Sequence, residues 1–230
     1  MPTAVVTGAN SGIGNALARI LVKEGYTVVA ADITIGDPIK ALDCEAIQLD
    51  VASPSSIQEF KQKLGDRPID MLLNVAGVME PHEKDTLSTV NFEALQKTFA
   101  VNTFGPLLLT QALLPNILAA STPRIAVMSS RMGSIADNSS GGSYSYRASK
   151  AGVNALFKSL AVDLKEKNVA VVLLHPGIVK TNLAGGLGAG EIQGAVEPEQ
   201  AASELWRVLM SKGVESTGRW WHRNGEELPW

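Results

Sequence analysis

The chain has 230 residues, 45% of them hydrophobic and 19% charged, with a net charge of −3 and a pI near 5.7. That length suits one domain of α/β size, able to bury roughly 70–75% of its unfolded surface without help from metals or disulfides. The charge balance leaves no electrostatic footprint for nucleic acid or an anionic membrane. Cys44 is the only cysteine, which excludes an internal disulfide, and no Cys/His cluster has metal-ligand spacing.

Met1-Pro2-Thr3 runs into an apolar strand with no basic n-region or apolar h-region. The longest wholly apolar stretch, Val169–Leu174, has six residues, against the about 20 that a bilayer requires. No membrane partner and a cytoplasmic address are therefore expected.

In chain order, a strand over Ala4–Thr7 leads to a helix over Gly12–Glu24, closed by Gly25 where a left-handed residue belongs. Strands over Thr27–Ala31 and Ala46–Leu49 follow, then a helix over Ser55–Leu64, with Ser53-Pro54 supplying an N-cap and a first-turn proline. A strand over Ile69–Leu73 precedes a long helical pattern over Phe92–Leu118. The remaining pairs are Arg124–Ser129 with Tyr146–Lys167, and Val169–Leu174 with Glu199–Met210; a short strand near Arg219–Trp221 ends the series. Strands apolar at nearly every position are buried on both faces, as parallel strands are. Alternating with helices, they predict a single Rossmann-type domain over residues 1–230, a doubly wound parallel sheet with right-handed crossovers. Five of the thirteen residues of Asn182–Gly194 are glycine, so a mobile substrate loop is expected at about 182–196.

The first strand opens into Thr7-Gly8-Ala9-Asn10-Ser11-Gly12-Ile13-Gly14. Glycines there let the backbone approach a pyrophosphate, whose charge meets free N–H groups at the helix N-terminus. Taken alone, a tight turn without ligand competes with that reading. Asp32 closes the second strand 18 residues beyond Gly14, near the offset of an acid that binds the adenosine ribose hydroxyls. Its carboxylate would repel a 2′-phosphate, and Ser11, Ile33 and Thr34 provide no cation to receive one. NAD(H) is favoured and NADP(H) stays open.

Tyr146 and Lys150 stand four residues apart on one helix face. A free tyrosine is only about 0.1% ionised at neutral pH, and a neighbouring ammonium would favour its phenolate and tune it for acid/base work. Ser129-Ser130 lies at a strand end where ligand-facing residues of an open α/β sheet belong.

Thr7–Gly14, Asn74-Val75-Ala76-Gly77, Asn102, Ser130, Tyr146, Lys150 and Pro176-Gly177 occur together in the order of the short-chain dehydrogenase/reductase family, which the chain resembles along essentially its whole length. Met128–Ile135 and Gly141–Lys150 resemble the small carbonyl reductases of the sniffer and C-factor type. The 16-residue step from Ser130 to Tyr146 exceeds the commonest family spacing, and leaves Ser129 as a competitor of Ser130.

The resemblance implies a sheet of about seven strands in the order 3-2-1-4-5-6-7. It makes Tyr146 the proton donor to a carbonyl oxygen or acceptor from an alcohol, with Ser130 bonding that oxygen. Lys150 would bind the nicotinamide ribose and lower the Tyr146 pKa, and Asn102 would hold a water in a relay to Lys150. Gly105-Pro106 makes a helix distortion near Asn102 plausible. Gly8, Asn10, Ser11, Gly12, Ile13 and Gly14 would cradle the pyrophosphate. Asp50-Val51 would touch adenine, and Asn74, Ala76 and Gly77 would line the adenosine side. Pro176, Gly177, Ile178 and Thr181 would fix the carboxamide, with pro-S hydride transfer. A homodimer or homotetramer through the Phe92–Leu118 and Tyr146–Lys167 helices is also implied.

Of the histidines, His175 reads as packing, His82 and His222 as loop residues. Trp220, Trp221 and Trp230 exceed the needs of a solvated tail and predict a docked C-terminal segment. Three function classes remain: a carbonyl reductase or alcohol dehydrogenase acting on a small molecule; a non-redox lyase, isomerase or cyclisation catalyst on the same fold; and a cofactor-binding signalling or regulatory protein. An intact Ser130, Tyr146 and Lys150 set favours the first, since binding alone needs no general acid.

Overall fold

A computed structural model of the chain describes residues 1–184 and 193–230. Seven strands form one parallel sheet in the order β3-β2-β1-β4-β5-β6-β7. They are β1 (Thr3–Thr7), β2 (Thr27–Asp32), β3 (Glu45–Gln48), β4 (Met71–Asn74), β5 (Arg124–Met128), β6 (Ala170–His175) and β7 (Arg219–His222). The helices are α1 (Gly12–Lys23), α2 (Asp37–Lys40), α3 (Pro54–Leu64), α4 (Phe92–Phe99), α5 (Gly105–Leu118), α6 (Tyr144–Leu164) and α7 (Pro198–Met210). This is the doubly wound arrangement that the alternation of patterns predicts. α2 was not anticipated: a four-residue helix is too short to show a period, although Asp37-Pro38 marks its start.

Alternate strand positions feed two cores. Val5, Leu72, Val127 and Leu173 pack with Phe60, Leu113 and Phe157 of α3, α5 and α6. Val6, Leu73, Ala126 and Leu174 pack with Leu17, Leu21 and Leu205 of α1 and α7. The period of two that sends neighbours to opposite faces thus buries both sides of the sheet.

Local closures follow the expected chemistry. Gly25 (φ 81°) gives its N–H to the Val22 carbonyl while Tyr26 N–H reaches Leu21, which closes α1 in a Schellman turn. Ser53 Oγ accepts from Ser56 N–H at 3.3 Å. Ser53→Ala should therefore lower stability by about 1 kcal/mol in a urea melt, with cofactor affinity unchanged.

The long helical pattern over 92–118 is broken. A π-turn over Ala100–Phe104 separates α4 from α5, because Pro106 has no N–H to give the Asn102 carbonyl four residues earlier. Trp220 is fully buried, Trp221 is 8% exposed, and Trp230 stacks on Trp220 at 5.8 Å while staying half exposed. The C-terminal segment is docked. The loop expected at 182–196 falls mostly outside the described residues. Its flanks are pinned, since Lys180 N–H donates to Val196 O at 3.0 Å and Val196 N–H to Ile178 O at 3.1 Å.

Candidate active site

The site lies at the carboxyl ends of the strands, where an open α/β sheet leaves a crevice. There the Thr7 hydroxyl accepts from the N–H groups of Val75 and Ala76 at 3.0 and 3.1 Å, which joins the ends of β1 and β4. The turn from Gly8 to Gly14 then enters α1. A Cβ on Gly14 would overlap the Gly8 carbonyl, so only glycine lets helix and turn pack this closely. Ser11, the N-cap of α1, makes no side-chain cap bond, and the first turn carries no acid. Those N–H groups and the positive helix end suit an anion.

A cleft of about 490 Å³ runs from this turn to α6. That size is ordinary for a small-molecule or cofactor site. Of the site residues expected from sequence, all but Asn10, Asn74 and Asn102 line it. Asp32 sits in its wall, accepting from Asn10 N–H at 3.0 Å and Thr34 N–H at 3.1 Å. Val78, Val101, Met128 and His175 also line the cleft, and the sequence assigns none of them to the site. Apart from Val101, which lies in the π-turn between α4 and α5, they are placed at or just beyond strand ends.

The side chains of these three asparagines make hydrogen bonds within the fold. Asn10 Oδ1 accepts from Gly36 and Ile39 N–H, which holds α2 against the glycine turn. Asn74, at the end of β4, faces α5 and reaches Thr110 Oγ1 and the Ala126 carbonyl, each at 3.4 Å. Its neighbours Val75, Ala76 and Gly77 face the cleft instead. Asn102, 1% exposed, both donates to Val78 O and accepts from Val78 N–H at 2.8 Å, and donates to Ser149 Oγ at 3.1 Å. These bonds tie Asn102 to the loop after β4 and to α6.

α6 brings Tyr146 and Lys150 to the other end of the cleft, both buried. The Lys150 ammonium lies 5.7 Å from the Tyr146 ring centroid and donates to the Met128 carbonyl at 2.8 Å. Burial pushes Tyr146 up to about 12, opposed by a hydrogen bond with Ser130. Burial also pulls Lys150 down to about 8. Desolvation of the phenolate outweighs a cation held on a carbonyl. Ser129 Oγ donates to Asn154 Oδ1 at 2.6 Å, whereas Ser130 hydrogen-bonds the phenol, which favours Ser130 over Ser129.

His175 is more than packing, since it forms part of the cleft wall. Burial, with the nearby His222 and two arginines, holds it down at about 3, so the imidazole stays neutral. His222 ends β7 and is not in a loop. Among the described residues no three potential ligands gather to hold a metal, and no helix is long and apolar enough to cross a membrane.

A dinucleotide-sized crevice beside a buried tyrosine, serine and lysine defines an α/β oxidoreductase of the nicotinamide type. A family model described as short chain dehydrogenase matches residues 2–191. The chain belongs to that family and is a nicotinamide-dependent oxidoreductase of CH–OH and C=O groups. It is 34% identical over 233 residues, covering 100% of both chains, to a 1-hydroxy-2-glutathionyl-2-methyl-3-butene dehydrogenase of Rhodococcus sp. (strain AD45). It is 36% identical over 174 residues to the C-signal protein of Myxococcus xanthus, covering 76% of this chain and 100% of that one. An NADPH-bound carbonyl reductase from chicken fatty liver superposes with a TM-score of 0.88 at 28% identity, over 100% of this chain and 99% of that one.

Proposed function

We propose that the chain reduces a small carbonyl compound, or oxidises the matching alcohol, with Tyr146 as general acid/base and NAD(H) as the preferred cofactor. The observation that carries this reading is the joint placement of Tyr146, Ser130 and Lys150 at one end of a cleft whose other end is the α1 glycine turn. The residues fit the cofactor: uncapped N–H groups at α1 match a diphosphate, and Asp32 matches a pair of ribose hydroxyls. When bound, the nicotinamide supplies or accepts the hydride.

The chain's own groups handle the proton and the geometry. Burial keeps the Tyr146 phenol protonated at neutral pH, the state that a proton donor to a carbonyl oxygen needs. In the reverse direction the same oxygen takes the alcohol proton. Ser130 holds the substrate oxygen beside the phenol, and Lys150 binds the nicotinamide ribose. Asp50-Val51 contact adenine, Ala76-Gly77 line the adenosine side, and Ile178 with Thr181 fix the carboxamide. The Asn102 carbonyl, which Pro106 cannot serve, is the group left to hold a relay water.

Asp32 sets the cofactor preference. Its carboxylate would repel a 2′-phosphate, and the adjoining Ile33 and Thr34 bring no compensating charge. In this respect the chain is proposed to differ from the NADPH-bound carbonyl reductase it resembles. Exposed Phe92, Phe104, Leu108 and Val162 on α4–α6 and the intervening π-turn support self-association through those helices.

The test is a panel of aromatic ketones, aldehydes and diketones supplied with NADH or NADPH and followed near roughly 340 nm, where the reduced cofactor absorbs. Loss of that absorbance, faster with NADH, is expected. Consumption of a carbonyl compound with constant absorbance would point instead to a non-redox catalyst.

A further inference from the structure

Asp85 is a fully buried carboxylate, 0% exposed, in the loop between β4 and α4. It takes part in no ion pair among the described residues. A buried carboxylate is costly unless hydrogen bonds meet its lone pairs, and here every side-chain bond runs to the start of α6. Oδ1 accepts from Ser145 N–H at 2.8 Å, and Oδ2 accepts from Ser145 Oγ at 2.8 Å and from Tyr146 N–H at 3.3 Å. The Asp85 carbonyl adds a contact from Tyr144 N–H at 3.4 Å.

The helix has no cap of its own. Ser143, in the N-cap position, has a left-handed backbone (φ 47°) and makes no side-chain cap bond. The orphan N–H groups of the first turn are therefore satisfied by a residue 60 positions earlier in the chain. A carboxylate at that end also complements the helix dipole. Thr98 of α4 donates to Ser145 Oγ at 3.3 Å, which extends the clamp to a second helix.

We propose that Asp85 is a positioning residue for the reaction: it clamps the opening turn of α6 so that the Tyr146 hydroxyl stays in register with Ser130 and Lys150. This rests on the reading of Tyr146 as acid/base. Asp85 touches neither the cleft nor the phenol; it acts through the backbone that carries the phenol. Because the same loop carries Val78, which lines the cleft and is held by Asn102, the wall of the cleft and the tyrosine share one anchor.

The experiment combines hydrogen exchange with kinetics on the full chain. In the wild type, the Ser145 and Tyr146 amides should be protected although they lie in the first helical turn; rapid exchange there overturns the proposal without any variant. Asp85→Asn keeps the volume but sets an NH2 donor against these N–H groups. Those amides should then exchange at least about 10-fold faster, with residues 153–164 unchanged. For an aromatic 1,2-diketone reduced by NADH, kcat should fall about 10–100-fold, with KM for NADH held.

Unchanged exchange, or faster exchange with full kcat, overturns the clamp. A lowered melting temperature with normal kcat also does so, because it assigns Asp85 to stability alone. Tyr146→Phe is measured in parallel. If that variant is active, the acid/base reading fails; if it is inactive while Asp85→Asn is fully active, only the positioning role fails.

Discussion

Tyr146→Phe is expected to lower kcat by about 10²–10⁴-fold, the span that a positioned general acid contributes. The dissociation constant for NADH should hardly change. The phenyl ring fills the same buried space, so packing between α6 and the cleft is kept, and only the hydroxyl facing Ser130 is lost. An equal fall in kcat and kcat/KM is the signature of an interaction made only in the transition state. A rise in KM at constant kcat would assign Tyr146 to binding instead. The position of Lys150 sharpens the expectation. Its ammonium is held by the Met128 carbonyl, 5.7 Å from the Tyr146 ring centroid, so the proton transfer is assigned to the phenol.

Gly14→Ala has the second large effect, and two tendencies oppose each other. Alanine is the better helix former by about 1 kcal/mol, which alone would stabilise α1. Its Cβ, however, would overlap the Gly8 carbonyl, a backbone atom that cannot swing aside, and crowd that of Thr7. Overpacking of this kind costs about 1–3 kcal/mol. The displaced turn is also the surface that receives the diphosphate, and a shift of about 1 Å there can cost about 100-fold. A weakened NADH affinity of that order, by fluorescence titration, is the expected result. Unchanged affinity would remove the glycine turn from the binding site.

The sheet could be read from the chain because its strands are apolar on both faces and its helices are not. Even the break near Asn102 was signalled, by Gly105-Pro106, although its form as a π-turn was not. What escaped has a common cause. Asn10, Asn74 and Asn102 stand in motif positions, but a motif does not tell whether the side chain or the backbone meets the ligand. The Asn10 oxygen and the Asn102 amide are bonded within the fold, whereas the Asn74 oxygen is buried with no partner among the described residues. Four residues on one helix face fix the proximity of Tyr146 and Lys150 but say nothing of their burial, which raises the one pKa and lowers the other. Asp85 could not be found at all, since a cap supplied from 60 residues away has no local pattern.

The proposed function requires a dinucleotide lying across the strand ends, its diphosphate at α1 and its adenosine ribose at Asp32. Calorimetric titration of the protein with NADH and NADPH measures this directly. One saturable site per chain, tighter for NADH, is the predicted outcome. NADPH binding as tightly as NADH would contradict the role given to Asp32, and no saturable binding of either would contradict the site itself.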